Sequence, residues 1–208
     1  MKIVVSGTKS LFEELAERTT GSSVRMIYVE TADEFLNHAD ADGYVDLGFE
    51  NTTERKKLLT TVLPKLVFIN SVSWPLTETN DSFVRINGWT TFLKRPIIEA
   101  SANDIIRNKA EQVLVSLNKK IDWVPDIPGF ISARVISMIV NEAYFALEEG
   151  VSTKAEIDIA MKLGTNYPYG PFEWSEKMGL KNIYELLTAL SKTNSRYKPA
   201  SLLTKEAT

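Results

Sequence analysis

The chain of 208 residues has no cysteine and one histidine, His38. Without cysteine there is no disulfide framework and no thiol nucleophile. With a single histidine besides, no cluster with metal-ligand spacing exists, and no bound metal is expected. Neither sign of charge dominates: 24 basic and 27 acidic residues leave a net charge of −3, which argues against a nucleic-acid surface. No run of about 18 apolar residues occurs, so no membrane-spanning helix is expected. The first residues read as a strand, not a secretory leader, and a cytoplasmic location is the expectation. Internal repeats, low-complexity tracts, Ser-x-x-Lys and Gly-x-Ser-x-Gly elbows are all missing.

The composition that remains, 44% hydrophobic and 25% charged, is that of a globular protein with one large or two small domains. The first part alternates strand and helix patterns. Strands are expected at Lys2–Val5, Val24–Val29, Tyr44–Phe49, Leu66–Asn70 and Ile121–Val124. Between them lie helices at Leu11–Arg18, from the Thr31/Glu34 capping box to Asn37, from an Asn51 cap to Leu63, and from Ser101 and Asp104 onward. This order predicts an α/β domain with a parallel, Rossmann-like sheet over residues 1–125. Asn87-Gly88, between Phe83–Ile86 and Thr90–Leu93, reads as a hairpin turn or as the bend of a single strand. Trp74, Trp89, Trp123 and Trp174 read as core residues. Lys65, Lys94, Arg95 and Lys119-Lys120 read as solvated surface, as does His38.

Residues 126–208 read as all-α. Pro128-Gly129 cannot lie inside a helix. From Ile131 to Gly150 the apolar residues Val135, Ile136, Met138, Ile139, Val140, Ala143 and Leu147 cover most of a helix, which implies burial or a partner subunit. Thr153 and Glu156 have capping-box spacing and open a helix that stops near Gly164; further helices are expected from Phe172 and from Asn182.

In this half, Asp126-x-Pro128-Gly129-Phe130-Ile131, Asn141-Glu142-Ala143, Glu149-Gly150-Val151, Ile157-Asp158-x-Ala160-Met161-x-x-Gly164 and Gly170-Pro171-Phe172-Glu173 follow one another, with Arg196-Tyr197-x-Pro199 and Leu202-Leu203 behind them. This succession resembles the C-terminal domain of the 3-hydroxyacyl-CoA dehydrogenases. The resemblance implies a preceding NAD domain, an acyl-CoA substrate of fatty-acid metabolism, and a homodimer formed by the helical domains. It also implies hydride transfer between the C3 alcohol and NAD, with a His base held by a Glu and with a Ser and an Asn positioning the substrate oxygen. His suits that task because its pKa lies near neutrality.

The cofactor and catalytic positions depart from that pattern. A dinucleotide fold needs Gly-x-Gly-x-x-Gly after its first strand. Here the stretch is Ser6-Gly7-Thr8-Lys9-Ser10-Leu11, with Ser6, Thr8 and Leu11 at the glycine positions. Glu30 ends the second strand, where the fold puts an acid for the ribose hydroxyls; beside Thr31 it also suits a helix entry. The family's His reads most simply as Thr90, its Asn as Ala133, its Ser as Ser73 or Ser71, and its Glu as Glu99, which Arg95 or Lys94 could equally partner. The connection between the second and third strands is also short where the family carries an insertion over the CoA moiety. Two functions remain open: a catalytically degenerate pseudoenzyme that binds or regulates in acyl-CoA metabolism, with NAD binding weak or lost; and an active NAD-dependent 3-hydroxyacyl-CoA dehydrogenase with a rewired site. The first is preferred, because the glycine loop and the base are missing together.

Overall fold

The structure, a computed structural model, describes residues 1–19 and 24–208 and divides into two compact units, Met1–Phe130 and Ile131–Thr208. In the first unit the strands are β1 (Lys2–Ser6), β2 (Arg25–Val29), β3 (Gly43–Asp46), β4 (Leu66–Asn70), β5 (Val84–Ile86), β6 (Ile97–Ser101) and β7 (Lys120–Trp123). They form one sheet in the order β2-β1-β3-β4-β5-β6-β7. Neighbours run parallel except β5 and β6, which are antiparallel.

The apolar runs of β1, β3 and β4 explain the layering. Successive side chains point to opposite faces, so a strand buried on both faces is apolar throughout. Ile3, Val5, Val45 and Phe68 face a core with α1 (Lys9–Ala16) and α3 (Asp104–Ser116). Val4, Tyr44, Val67 and Ile69 face another core with the 3₁₀ turn Ala32–His38 and α2 (Thr53–Thr60).

Some local expectations change. Thr90–Leu93 forms no strand; the antiparallel partner of β5 is β6, with Ile86 opposite Ala100. The cap of α3 is Asn103, whose side chain accepts from the Ile105 N–H, and the cap of α2 is Thr52 rather than Asn51. Lys119, read as surface, is buried, and its ammonium donates to the Leu93 and Arg95 carbonyls. Burial lowers its pKa to about 8.

Arg85 of β5 is fully buried. It donates to the Ser71 carbonyl at 2.9 Å, the Val72 carbonyl at 3.2 Å and the Asp126 carboxylate, and lies 4.8 Å from the Phe130 ring centre. Asp126 also accepts from the Leu76 N–H at 2.8 Å, and the Gly129 N–H donates to the Val72 carbonyl at 2.8 Å. Residues 126–130 are thereby tied to the loop after β4.

The second unit is helical: α4 (Ser132–Glu148), α5 (Lys154–Thr165), α6 (Pro171–Met178), α7 (Leu180–Ser191) and α8 (Ser201–Ala207). Among the described residues, no helix is long and apolar enough to cross a membrane. Buried Asn141 of α4 donates to the Lys198 carbonyl at 3.0 Å and accepts from the Ala200 N–H at 2.9 Å, which fixes the chain entering α8. Asp158 of α5 accepts from the Phe172 and Glu173 N–H groups at 2.8 and 3.2 Å, placing a carboxylate on the start of α6.

Two glycines in this unit should respond with opposite signs. A Cβ at Gly170 would stand 2.2 Å from Asp158 Oδ1, so Gly170→Ala should displace that cap and destabilise by roughly 3 kcal/mol. A Cβ at Gly164, inside α5, meets nothing within 4 Å, so Gly164→Ala should stabilise by about 0.5–1 kcal/mol. Denaturant melts of both variants check this, and equal effects would show that the Asp158 cap does not hold α6.

Candidate functional site

Because β1 to β5 run parallel, the segments after them emerge at one edge of the sheet. These are Gly7-Thr8, Leu47-Gly48, Asn70–Ser73 and Asn87-Gly88. The chain passes from β1 to β2 on one side and returns to β3 on the other, so the switch in strand order falls between β1 and β3. Ligands of open α/β sheets bind outside that point. A pocket of about 480 Å³ lies there, lined by Ser6, Gly7, Thr8, Glu30, Asp46 and Arg55 among others.

Asp46 is the unusual member of this lining. Its side chain is fully buried, Oδ1 accepts from the Ser6 hydroxyl at 3.0 Å, and Oδ2 has no hydrogen-bond partner. The Arg55 Nε stands 3.6 Å from it. Burial raises the carboxyl pKa, opposed by Arg55 and by the Ser6 hydrogen bond. A buried carboxylate only partly compensated by its neighbours makes this pocket a candidate site.

The expected cofactor residues Ser6, Gly7, Thr8 and Glu30 all line this pocket. Thr8 caps α1, with its hydroxyl accepting the Leu11 N–H at 3.3 Å. Leu11, where the fold uses a third glycine, packs its side chain against the core beneath the sheet. Gly7, at φ +131°, is required by the neighbouring loop: a Cβ there would meet Leu47 Cβ at 3.0 Å and the Gly48 nitrogen at 3.1 Å. The fold's usual strand order, 3-2-1-4-5-6, has two strands beyond the first, whereas here β2 alone lies beyond β1. Glu30 lines the pocket with an exposed carboxylate; the acid of the capping box is Glu34, which accepts from the Glu30 and Thr31 N–H groups.

Hydrogen bonds run from this pocket to the next strand end. Asn70 donates to the Leu47 carbonyl at 3.1 Å and accepts from the Gly88 N–H at 3.0 Å. A Cβ on Gly88 would lie 2.8 Å from the Asn70 side chain, so only glycine fits there. Asn87 precedes it. Its side-chain N–H donates to Glu99 Oε2 at 2.8 Å, and its backbone N–H donates to the Glu99 carbonyl at 3.0 Å. Glu99 also faces the Arg95 guanidinium.

The residue held by Glu99 is therefore Asn87, where the sequence suggested Thr90. The reason is register: the β5–β6 ladder continues past Ile86 and Ala100 to bring Asn87 and Glu99 together. Thr90 lies further on, in the loop. Ser71 donates its hydroxyl to the Trp74 carbonyl at 2.8 Å, and Ser73 is buried in the same turn. Ala133 is fully buried in the helical unit. His38 ends the 3₁₀ turn between β2 and β3, with Nδ1 3.4 Å from the Lys2 ammonium. Among the described residues no group of His, Asp and Glu is placed to hold a metal ion. The loop after Asn87 is clamped by the buried Lys119 and by Glu14, which accepts from the Thr91 N–H at 2.8 Å. Thr91 has φ +77°, and its hydroxyl is buried without a partner.

Comparison with known proteins gives one consistent answer. Residues 129–207 match the family described as 3-hydroxyacyl-CoA dehydrogenase, C-terminal domain. The 3-hydroxyadipyl-CoA dehydrogenase of Escherichia coli (strain K12) is 40% identical over 114 residues, which are 53% of this chain and 24% of that protein. The chain thus spans about a quarter of that relative's length. A probable 3-hydroxybutyryl-CoA dehydrogenase of Bacillus subtilis (strain 168) is 28% identical over 96% of this chain and 78% of its own length. The crystal structure of (S)-3-hydroxybutyryl-CoA dehydrogenase from Ralstonia eutropha has the same fold, with a TM-score of 0.76 at 20% identity, over 98% of this chain and 92% of that one.

The Asp46 geometry has a consequence for pH. Its folded pKa is raised, so its contribution to stability is full below the unfolded value of about 3.9 and is lost as pH rises through the folded value. Asp46→Asn, which keeps the acceptor for Ser6, should raise the melting temperature at pH 7 and gain progressively less as pH falls toward about 4. A lower melting temperature at pH 7 would show that the Arg55 interaction outweighs burial.

Proposed function

We propose that this chain, which belongs to the 3-hydroxyacyl-CoA dehydrogenase family, binds an acyl-CoA-type thioester and does not dehydrogenate it. The pairing of Asn87 with Glu99 carries this reading. Moving hydride to or from an alcohol carbon requires a group that exchanges the alcohol proton near neutral pH. A carboxamide keeps the orienting hydrogen bond to the acid but does not titrate. The single histidine lies in the connection between β2 and β3, away from the end of β5. Ala133 has no polar group with which to position a substrate oxygen.

The pocket at the switch point supports the same reading, since Thr8 and Leu11 replace glycines where a pyrophosphate must approach backbone. NAD is accordingly proposed to bind weakly or not at all, and the role to be binding or regulatory within acyl-CoA metabolism. Acetoacetyl-CoA reduction by NADH should fall at least about a hundredfold below a typical turnover of roughly 10 s⁻¹. Turnover within about tenfold of that value would sink the reading. Micromolar NADH affinity by fluorescence would overturn the weak-NAD part of the reading, with Glu30→Ala then expected to weaken binding.

The assembly proposed is a homodimer through the helical unit. Ile131 and Val135 on the first turns of α4, and Ile159 and Leu163 on α5, are each more than half exposed, with Leu163 at 83%. Pairs four residues apart form stripes along a helix, and a small domain leaves such stripes for a two-fold partner to cover. Light scattering should give twice the chain mass, and Leu163→Glu or Val135→Glu should shift it toward the monomer. A monomeric wild type would place these stripes elsewhere in the protein's use.

A further inference from the structure

From Asn87 we infer that the site selects the oxidation state of its ligand, holding a 3-hydroxyacyl thioester and discriminating against the 3-oxoacyl counterpart. The inference rests on the acyl-thioester reading above and names the ligand class within it.

The argument begins with what Glu99 can do. A carboxylate only accepts hydrogen bonds. The Asn87 amide must therefore turn its nitrogen toward Glu99, as the 2.8 Å contact shows, because the flipped amide would set oxygen against oxygen. The backbone bond from the Asn87 N–H to the Glu99 carbonyl, at 3.0 Å, holds the two residues in register. Oδ1 is thereby fixed on the side away from the acid. Asn87 is 2% exposed and this oxygen has no hydrogen-bond partner. Leaving such a buried acceptor unpaired costs roughly 1–3 kcal/mol. Solvent does not reach it here, so a ligand must displace what covers it, and satisfying the orphan favours that step.

An imidazole in this place would present a ring nitrogen that accepts when neutral and donates when charged. An amide oxygen only accepts. The ligand atom opposite must then be a donor, which an alcohol supplies and a ketone does not. A ketone would place acceptor against acceptor; a saturated chain would leave the orphan unpaired without that repulsion. The expected order of affinity is hydroxy, then saturated, then oxo.

The test is calorimetric titration of the 208-residue chain with 3-hydroxybutyryl-CoA, butyryl-CoA and acetoacetyl-CoA. Wild type should prefer the hydroxy over the oxo ligand by at least about tenfold, the lower part of what one buried unpaired acceptor is worth. Glu99→Gln is the decisive variant, because Gln donates as well as accepts and frees the Asn87 amide to turn. The preference should then shrink to within about threefold, chiefly through tighter acetoacetyl-CoA binding, which a merely structural role for Glu99 would not produce. Asn87→Leu, checked for native circular dichroism, should abolish the preference by removing the acceptor, and it serves if the Gln variant does not fold. Equal binding of hydroxy and oxo ligands to wild type overturns the inference and leaves thioester binding intact. A preference that survives both variants overturns its assignment to Asn87. If none of the three ligands binds, the thioester reading fails and the inference fails with it.

Discussion

The first unit depends on one buried cation. Arg85 sits in the middle of a three-residue strand, where an apolar side chain would be ordinary, and its guanidinium meets two separate pieces of chain, the loop at Ser71-Val72 and residues 126–130. A buried charge persists only when its donors are answered. Here Asp126 answers with charge, the Ser71 and Val72 carbonyls with dipoles, and Phe130 with its ring face. The loop after β4 and the stretch that leads out of the sheet unit are therefore set by one side chain. The same loop carries Ser73, and the strand that bears Arg85 ends beside Asn87. Geometry at the sheet edge follows from this ion pair as much as from the sheet.

The cost of burial is distributed unevenly along that edge. Asn70, Gly88 and the Glu99 contact of Asn87 are well bonded. Asp46 Oδ2, Asn87 Oδ1 and Thr91 Oγ1 are buried and lack partners. Asp46 and Asn87 lie at or just beyond the ends of strands on the same edge, and Thr91 lies in the loop that follows Asn87. Unsatisfied buried groups are few in folded proteins, and where they gather, ligand contact or strain is the usual cause. The left-handed Thr91 adds backbone strain at the same place.

Much of the fold was legible in the residues because one physical signal carried it. Runs such as Lys2–Val5 and Leu66–Asn70 are apolar on both faces, which few structures other than a covered parallel sheet allow. The capping box at Thr153 and Glu156 located α5 because it depends on neighbours in sequence. The misreadings came where long-range contacts decide. Ile97–Ser101 has Glu99 in its middle and follows a proline, so nothing local marks it as a strand; the pairing with β5 does. Lys119 reads as a surface lysine until two loop carbonyls surround it. The Asn87–Glu99 pairing was not legible, because spacing along a chain does not report register across a ladder. The clue available beforehand was the Asn87-Gly88 pair itself, which was read as a turn.

On the proposed reading, an amide standing where the family uses an imidazole conserves more than it removes. Both can donate one hydrogen bond to Glu99 and present one acceptor beyond it, so the local packing and the second bond through the backbone need not shift. What disappears on the proposed reading is the proton that moves. The helical unit depends on none of this: Asn141 and Asp158 fix its helices through hydrogen bonds within that unit, and Gly170 leaves room for the Asp158 cap. Folding constraints and chemical constraints thus fall on different residues, which on the proposed reading is why the motifs of the second half remain plain while the glycine loop and the base position do not. On that reading the site would keep the capacity to recognise, because recognition needs a fixed donor or acceptor, whereas turnover needs one that titrates.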